Sequence, residues 1–140
     1  SSKIDLKEAE NLATIAIIYS KTLADEYEIN SSALIHNTLI NLDFKTKGFC
    51  YDFTTDLLKK LKEQEYKTIK LLWAVHKKGQ YWEHNAIVIT HKNQSFEDGI
   101  ILDAWRDSGN LFFSKVKDDK AYTWSENIRK SEFYGNKLRF

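Results

Sequence analysis

Proline and methionine are absent from this 140-residue chain, and it holds one cysteine, Cys50. A single cysteine cannot close a disulfide within the chain, and it does not decide the redox compartment. Without methionine, residue 1 is not a translation start, so an upstream segment such as a signal peptide, a lipoprotein leader or another domain is expected. The polar Ser1-Ser2-Lys3 start suits the first residues after an export signal, which points to an exported, periplasmic, envelope-associated bacterial protein. No apolar run approaches the ~20 residues of a membrane-spanning helix. Charge of one sign never dominates either: 21 basic and 20 acidic residues are interspersed, for a net charge of +1. A nucleic-acid partner, which needs a basic block or stripe, is therefore not expected. His76, His84, His91 and Asp103 are present, but no His-x-x-x-His or Cys-x-x-Cys spacing occurs, so no metal site is expected. Repeats, low-complexity tracts and linkers are also missing.

What is present is the material of one packed domain. Hydrophobic residues make up 42 % and aromatic residues 14 % of the chain, including Trp73, Trp82, Trp105 and Trp124. That composition can bury a core and is not that of a disordered chain. Residues 1–30 read as an N-terminal helix from Ile4 to about Glu28, with Leu6, Ala9, Leu12, Ala16, Tyr19, Leu23 and Tyr27 on one face. Asp5 and Glu8 have capping-box spacing, and Ile15, Ile17 and Ile18 widen the stripe enough to pack on two sides. Residues 31–64 hold a second helix, from Ala33 to about Leu42, and a third beginning near Cys50. Residues 68–116 read as an antiparallel sheet with strands Thr68–His76, Tyr81–His91, Ile100–Trp105 and Leu111–Val116. Residues 117–140 form a C-terminal extension, with Ala121–Trp124 against the sheet and a helical stretch near Ser125–Lys130. Helices first and a meander of strands after them make an α+β domain.

Gly48-Phe49-Cys50-Tyr51-Asp52-Phe53 puts the lone thiol at the start of an amphipathic run in which Phe53, Leu57, Leu58 and Leu61 recur at helical spacing. A helix N-terminus presents unpaired N–H groups and partial positive charge, an environment that favours a thiolate. A thiol nucleophile also needs a base, and the base needs an acceptor on its other ring nitrogen. His84 opens one strand and Asp103 closes the next, so adjacent antiparallel strands bring them side by side. An acid inside Ile-Ile-Leu-Asp-Ala-Trp is costly unless paired. Asp107 is the fallback partner if Asp103 points into the core, and Arg106 is expected to pair with Asp107.

Gly-x-Cys opening a helix, His at a strand start and Leu-Asp-x-Trp on the following strand resemble the core of the transglutaminase-like branch of papain-like cysteine enzymes. The resemblance covers about Asn37 to Phe113. It implies a papain-like core, with Cys50 as nucleophile, His84 as general base and then acid, and Asp103 as the residue that orients His84. The chain lacks the Gln-x-Cys-Trp pattern of eukaryotic transglutaminases and shows no calcium-site motif, so no subfamily follows.

An oxyanion hole needs a donor beside the attacked carbonyl. The Cys50 backbone N–H is one; Asn37 is preferred over Asn41 as a side-chain donor preceding the cysteine, and Trp82 and Trp105 are expected to wall the substrate site. The function expected is a cysteine-dependent hydrolase or acyltransferase, of bacterial cysteine peptidase type, acting on an amide or peptide bond through an acyl-enzyme. It requires no cofactor, takes a protein or peptide substrate and works as a monomer. The alternatives are a non-catalytic binding or scaffolding domain with the same fold, or an effector-like domain with an inert thiol and an exposed aromatic patch.

Overall fold

The computed structural model describes residues 3–27, 50–80 and 83–136. The elements are α1 (Leu6–Glu26), α2 (Cys50–Lys62), β1 (Ile69–His76), β2 (His84–His91), β3 (Ile100–Asp103), β4 (Phe112–Lys115), β5 (Ser125–Glu126) and α3 (Ile128–Tyr134). The protein is α+β, with one sheet in the order β4-β3-β2-β1-β5 and every neighbouring pair antiparallel. The helix expected over Ala33–Leu42 lies outside the described residues.

Side-chain alternation sends successive residues of a strand to opposite faces, and here both faces are covered. Leu71 and Trp73 of β1 and Ile87 of β2 meet Leu12, Phe53, Leu57 and Leu61 from α1 and α2. Leu72, Ala74, Ala86 and Val88 meet Phe96, Ile101, Val116 and Trp124 on the far side. Burial on both faces is why β1 and β2 read as nearly continuous apolar runs.

In α2 the buried residues are Cys50, Phe53, Thr54, Leu57, Leu58 and Leu61, which repeat every three or four positions as a helix face requires. Burying each of Phe53, Leu57, Leu58 and Leu61 contributes roughly 2 kcal/mol. Lys59, Lys60 and Lys62 sit in the last turn, where positive charge complements the helix dipole. The strongest contact of this helix is with β2, and that contact sets Cys50 beside the start of the His84 strand.

Several expectations need correction. Asp5 caps α1, accepting from the Lys7 and Glu8 amides, but Glu8 does not return the bond. Its carboxylate instead accepts from the Lys67 and Thr68 amides at 2.6 and 2.8 Å, and Asp5 N donates to the Thr68 hydroxyl. The start of α1 is thus tied to the entry of β1 rather than to itself. Ile17 and Ile18 are exposed, so α1 buries one face and not two. The β3 strand stops at Asp103 rather than Trp105, because the Asp103 side chain accepts from the Trp105 and Arg106 amides and folds the chain into a turn. A fifth strand in the C-terminal extension pairs Ser125 and Glu126 with Val75 and Ala74, and the last helix begins only at Ile128.

Candidate active site

Cys50 is the first residue of α2 and is buried. Its thiol points toward the Glu83 carbonyl oxygen at 3.9 Å, just ahead of β2. His84 opens β2 and is 2 % exposed. The register pairs Ile87 with Leu102, which sets Asp103 opposite Ala86 and diagonal to His84 on one face of the sheet. His84 Nε2 lies 2.6 Å from Asp103 Oδ2. A carboxylate only accepts, so this contact fixes the proton on Nε2 and leaves Nδ1 as the basic nitrogen. Nδ1 is buried and has no hydrogen bond of ordinary geometry among the described residues. The Cys50 sulfur is nevertheless near enough to favour charge on the ring. A pair that is close but imperfectly aligned is common in unliganded cysteine and serine sites.

Burial works against an imidazolium here, but the hydrogen bond to Asp103, the neighbouring Cys50 sulfur and the charges of the two outweigh it and push His84 up to about 9. The ring is enclosed by Trp105, Tyr122 and Trp124, with centroids 4.9, 4.5 and 5.3 Å away. Those aromatic walls exclude water and strengthen each electrostatic contact inside.

Asp103 is 1 % exposed and satisfied by four donors. Besides His84, it accepts from the Trp105 amide, the Arg106 amide and Arg106 Nε, each at 3.1 Å. The turn that carries these amides is packed on α1: a side chain on Gly109, which has φ +95°, would meet the Ala24 Cβ at 2.5 Å. Arg106 does not pair with Asp107, which is exposed. Its guanidinium instead forks to Asp119, with Nη2 to Oδ2 at 2.6 Å and Nη1 to Oδ1 at 3.2 Å. It stacks on Phe112 at 3.8 Å and Tyr122 at 4.7 Å. Asp119 is in turn held by Trp124 Nε1 at 2.8 Å. Burial opposes the Asp119 charge, but Arg106 and Trp124 keep its carboxyl below the usual range. A chain of bonded groups therefore runs from His84 through Asp103 and Arg106 to Asp119.

Cys50, His84 and Asp103 come together, and Asp107 stays apart from them. Asn37, Asn41 and Trp82 lie outside the described residues. Trp105 stands against the His84 ring and also packs on the core; its Nε1 is buried without a hydrogen bond among the described residues.

Three contributors were not foreseen: Arg106 as a partner of Asp103, Asp119, and Asn85. Asn85 is 4 % exposed and contacts the Cys50 sulfur through Nδ2 at 3.8 Å. A signal for it was present in the sequence, since an amide inside the apolar run after His84 is costly unless bonded, as an acid is at Asp103. Asp119 gave no such signal, because its place depends on how the C-terminal extension folds back. Among the described residues, no group of three His, Cys, Asp or Glu side chains converges as a metal site would require, and no helix is long and apolar enough to cross a membrane. No family model matches the chain, and no curated protein or solved structure is significantly similar to it.

Proposed function

We propose that this chain is a cysteine-dependent hydrolase or acyltransferase that acts on an amide or peptide bond. The observation that carries the reading is the buried His84 ring, bonded to Asp103 through Nε2 and acted on by the Cys50 sulfur, with Nδ1 left without a hydrogen bond among the described residues. In that arrangement Nδ1 takes the thiol proton, and the Sγ anion attacks the carbonyl carbon to form a tetrahedral adduct. The Cys50 backbone N–H, in the first described turn of α2, is the donor proposed for its oxyanion. The protonated Nδ1 then gives its proton to the leaving amine, and the C–N bond breaks to leave a thioester on Cys50. Water or an acceptor amine, deprotonated by Nδ1, attacks the thioester and releases the thiol. Asp103 holds the ring and its charge throughout. No metal or cofactor takes part in these steps.

The order of elements supports assignment to the transglutaminase-like branch of papain-like enzymes: a cysteine opening a helix that packs on the His strand, and an Asp ending the adjacent antiparallel strand. A cleft of about 650 Å³ is lined by Tyr51, Lys130, Phe133 and Tyr134, and Cys50, His84 and Asp103 do not line it.

The test is alkylation of Cys50 by iodoacetamide at about pH 6.5, followed by mass spectrometry, in the wild type and in His84→Ala. A peptidyl acyloxymethyl ketone serves as a second, mechanism-based probe. Labelling of Cys50 by both reagents that falls at least tenfold in His84→Ala is the expected result. Equal labelling of the two proteins would show an inert thiol and leave a non-catalytic binding domain as the function.

A further inference from the structure

We propose that Asn85 is a positioning residue for the nucleophile: its side-chain amide holds the Cys50 sulfur as a thiolate and aims it. This rests on the reading of Cys50 as nucleophile.

Asn85 follows His84 on β2, so alternation turns the two side chains to opposite faces of the sheet. Both nevertheless reach Cys50, which sits at the end of the strand. The orientation of the amide is fixed by chemistry. Trp73 is fully buried, and its Nε1 can only donate; the acceptor 2.9 Å away is Asn85 Oδ1. With Oδ1 committed to the indole, the two N–H bonds of Nδ2 face the other way. They meet Cys50 Sγ at 3.8 Å and Glu83 Oε2 at 3.2 Å. Glu83 is itself anchored, its Oε1 accepting from the Gly79 amide at 2.8 Å in the β1–β2 turn.

The two protonation states of the sulfur therefore have different partners. A protonated thiol donates to the Glu83 carbonyl oxygen, and Asn85 gives it little. A thiolate has no proton to donate and needs donors, which Asn85 supplies from a site already built and closed to water. Hydrogen bonds to a charged acceptor are about twice as strong as neutral ones. An amide is also the side chain that fits all three neighbours at this length, since it accepts from the indole while donating to both the sulfur and the carboxylate. Aspartate would keep the acceptor and lose both donors.

The experiment follows the alkylation rate of Cys50 across about pH 5 to 9 in the wild type, His84→Ala, Asn85→Asp and Asn85→Ala. Asn85→Asp is close to isosteric and keeps a partner for Trp73, so near-ultraviolet circular dichroism checks that the fold survives. The expected result is a fall of at least about tenfold near pH 6.5 in Asn85→Asp, with the rise of its profile moved to higher pH, and a smaller fall in Asn85→Ala. A second measurement needs no substitution at Asn85. In ¹⁵N-labelled wild type, the Asn85 side-chain amide resonance should shift with pH at the midpoint of the alkylation profile, and that shift should vanish in Cys50→Ala. If His84→Ala loses reactivity while the Asn85 variants match the wild type, or the amide resonance stays fixed, the proposal for Asn85 is overturned and the catalytic reading stands. If His84→Ala also reacts as the wild type does, both fall together.

Discussion

The bond between His84 and Asp103 predicts a stability that declines with rising pH over a defined window. An unfolded histidine titrates near 6.5, whereas burial together with Asp103 and Cys50 sets the folded His84 at about 9. Between those values the folded chain holds a proton that the unfolded chain has released, so unfolding free energy falls as pH rises. The stabilisation is complete below about pH 6.5 and lost above about pH 9. Each pH unit between the two values corresponds to about 1.4 kcal/mol, which gives an upper bound of about 3 kcal/mol. Cys50 contributes part of the rise, so the clean protein for this measurement is Cys50→Ala, in which a drop of about 2 kcal/mol is expected. Tyr27 and Tyr66, pushed up by burial, stay protonated throughout this window. Urea denaturation at about pH 6.5, 7.5 and 9, read by tryptophan fluorescence, supplies the free energies. The control is Cys50→Ala with Asp103→Asn. Without the carboxylate, burial acts alone and holds the ring neutral, so the folded value drops below 6.5 and the slope disappears from the upper window. It reappears with opposite sign in the lower one, where stability then rises with pH. A flat or rising profile between pH 6.5 and 9 in Cys50→Ala would refute the claim that Asp103 stabilises a charged His84.

Two further outcomes follow from the same contacts. Arg106→Lys cannot bridge Asp103 and Asp119 or stack between Phe112 and Tyr122, so a loss of about 1–3 kcal/mol in urea denaturation and a slower Cys50 alkylation are expected; unchanged values would make the Arg106 link to the site idle. Gly135→Ala would place its Cβ 2.0 Å from the Leu71 carbonyl oxygen, where the backbone after α3 closes on β1. The expected cost is about 2 kcal/mol or more, and a change under about 0.5 kcal/mol would mean that this closure is soft.

Much of the site was legible because its signals are local or were carried by a family resemblance. The spacing of Phe53, Leu57, Leu58 and Leu61 announces the cysteine helix within a dozen residues. An acid among Ile, Leu and Trp announces that Asp103 has partners. The resemblance then supplied the roles proposed for Cys50, His84 and Asp103 before any geometry was known. What stayed hidden shares one property. Glu8 bonds to Thr68, Arg106 to Asp119 and Trp73 to Asn85 across stretches of chain whose relative placement no periodicity encodes. The expected pairing of Arg106 with Asp107 failed for the same reason: a neighbour in sequence lost to a carboxylate brought in by folding. Strand β5 escaped notice because two residues are too few to show alternation.

By itself, then, the sequence determined that α1, the cysteine helix and strands β1 to β4 lie close to where they do, and that one thiol, one imidazole and one carboxylate stand at element ends. Those properties depend on contiguous residues and on the fixed periods of 3.6 and 2. Only the tertiary structure decided which ring nitrogen faces the carboxylate, that Arg106 and Asp119 extend the chain of bonds behind it, and that Asn85 is turned by Trp73 toward the sulfur. A hydrogen bond is a matter of about 3 Å and a direction, and positions of that precision are set by packing.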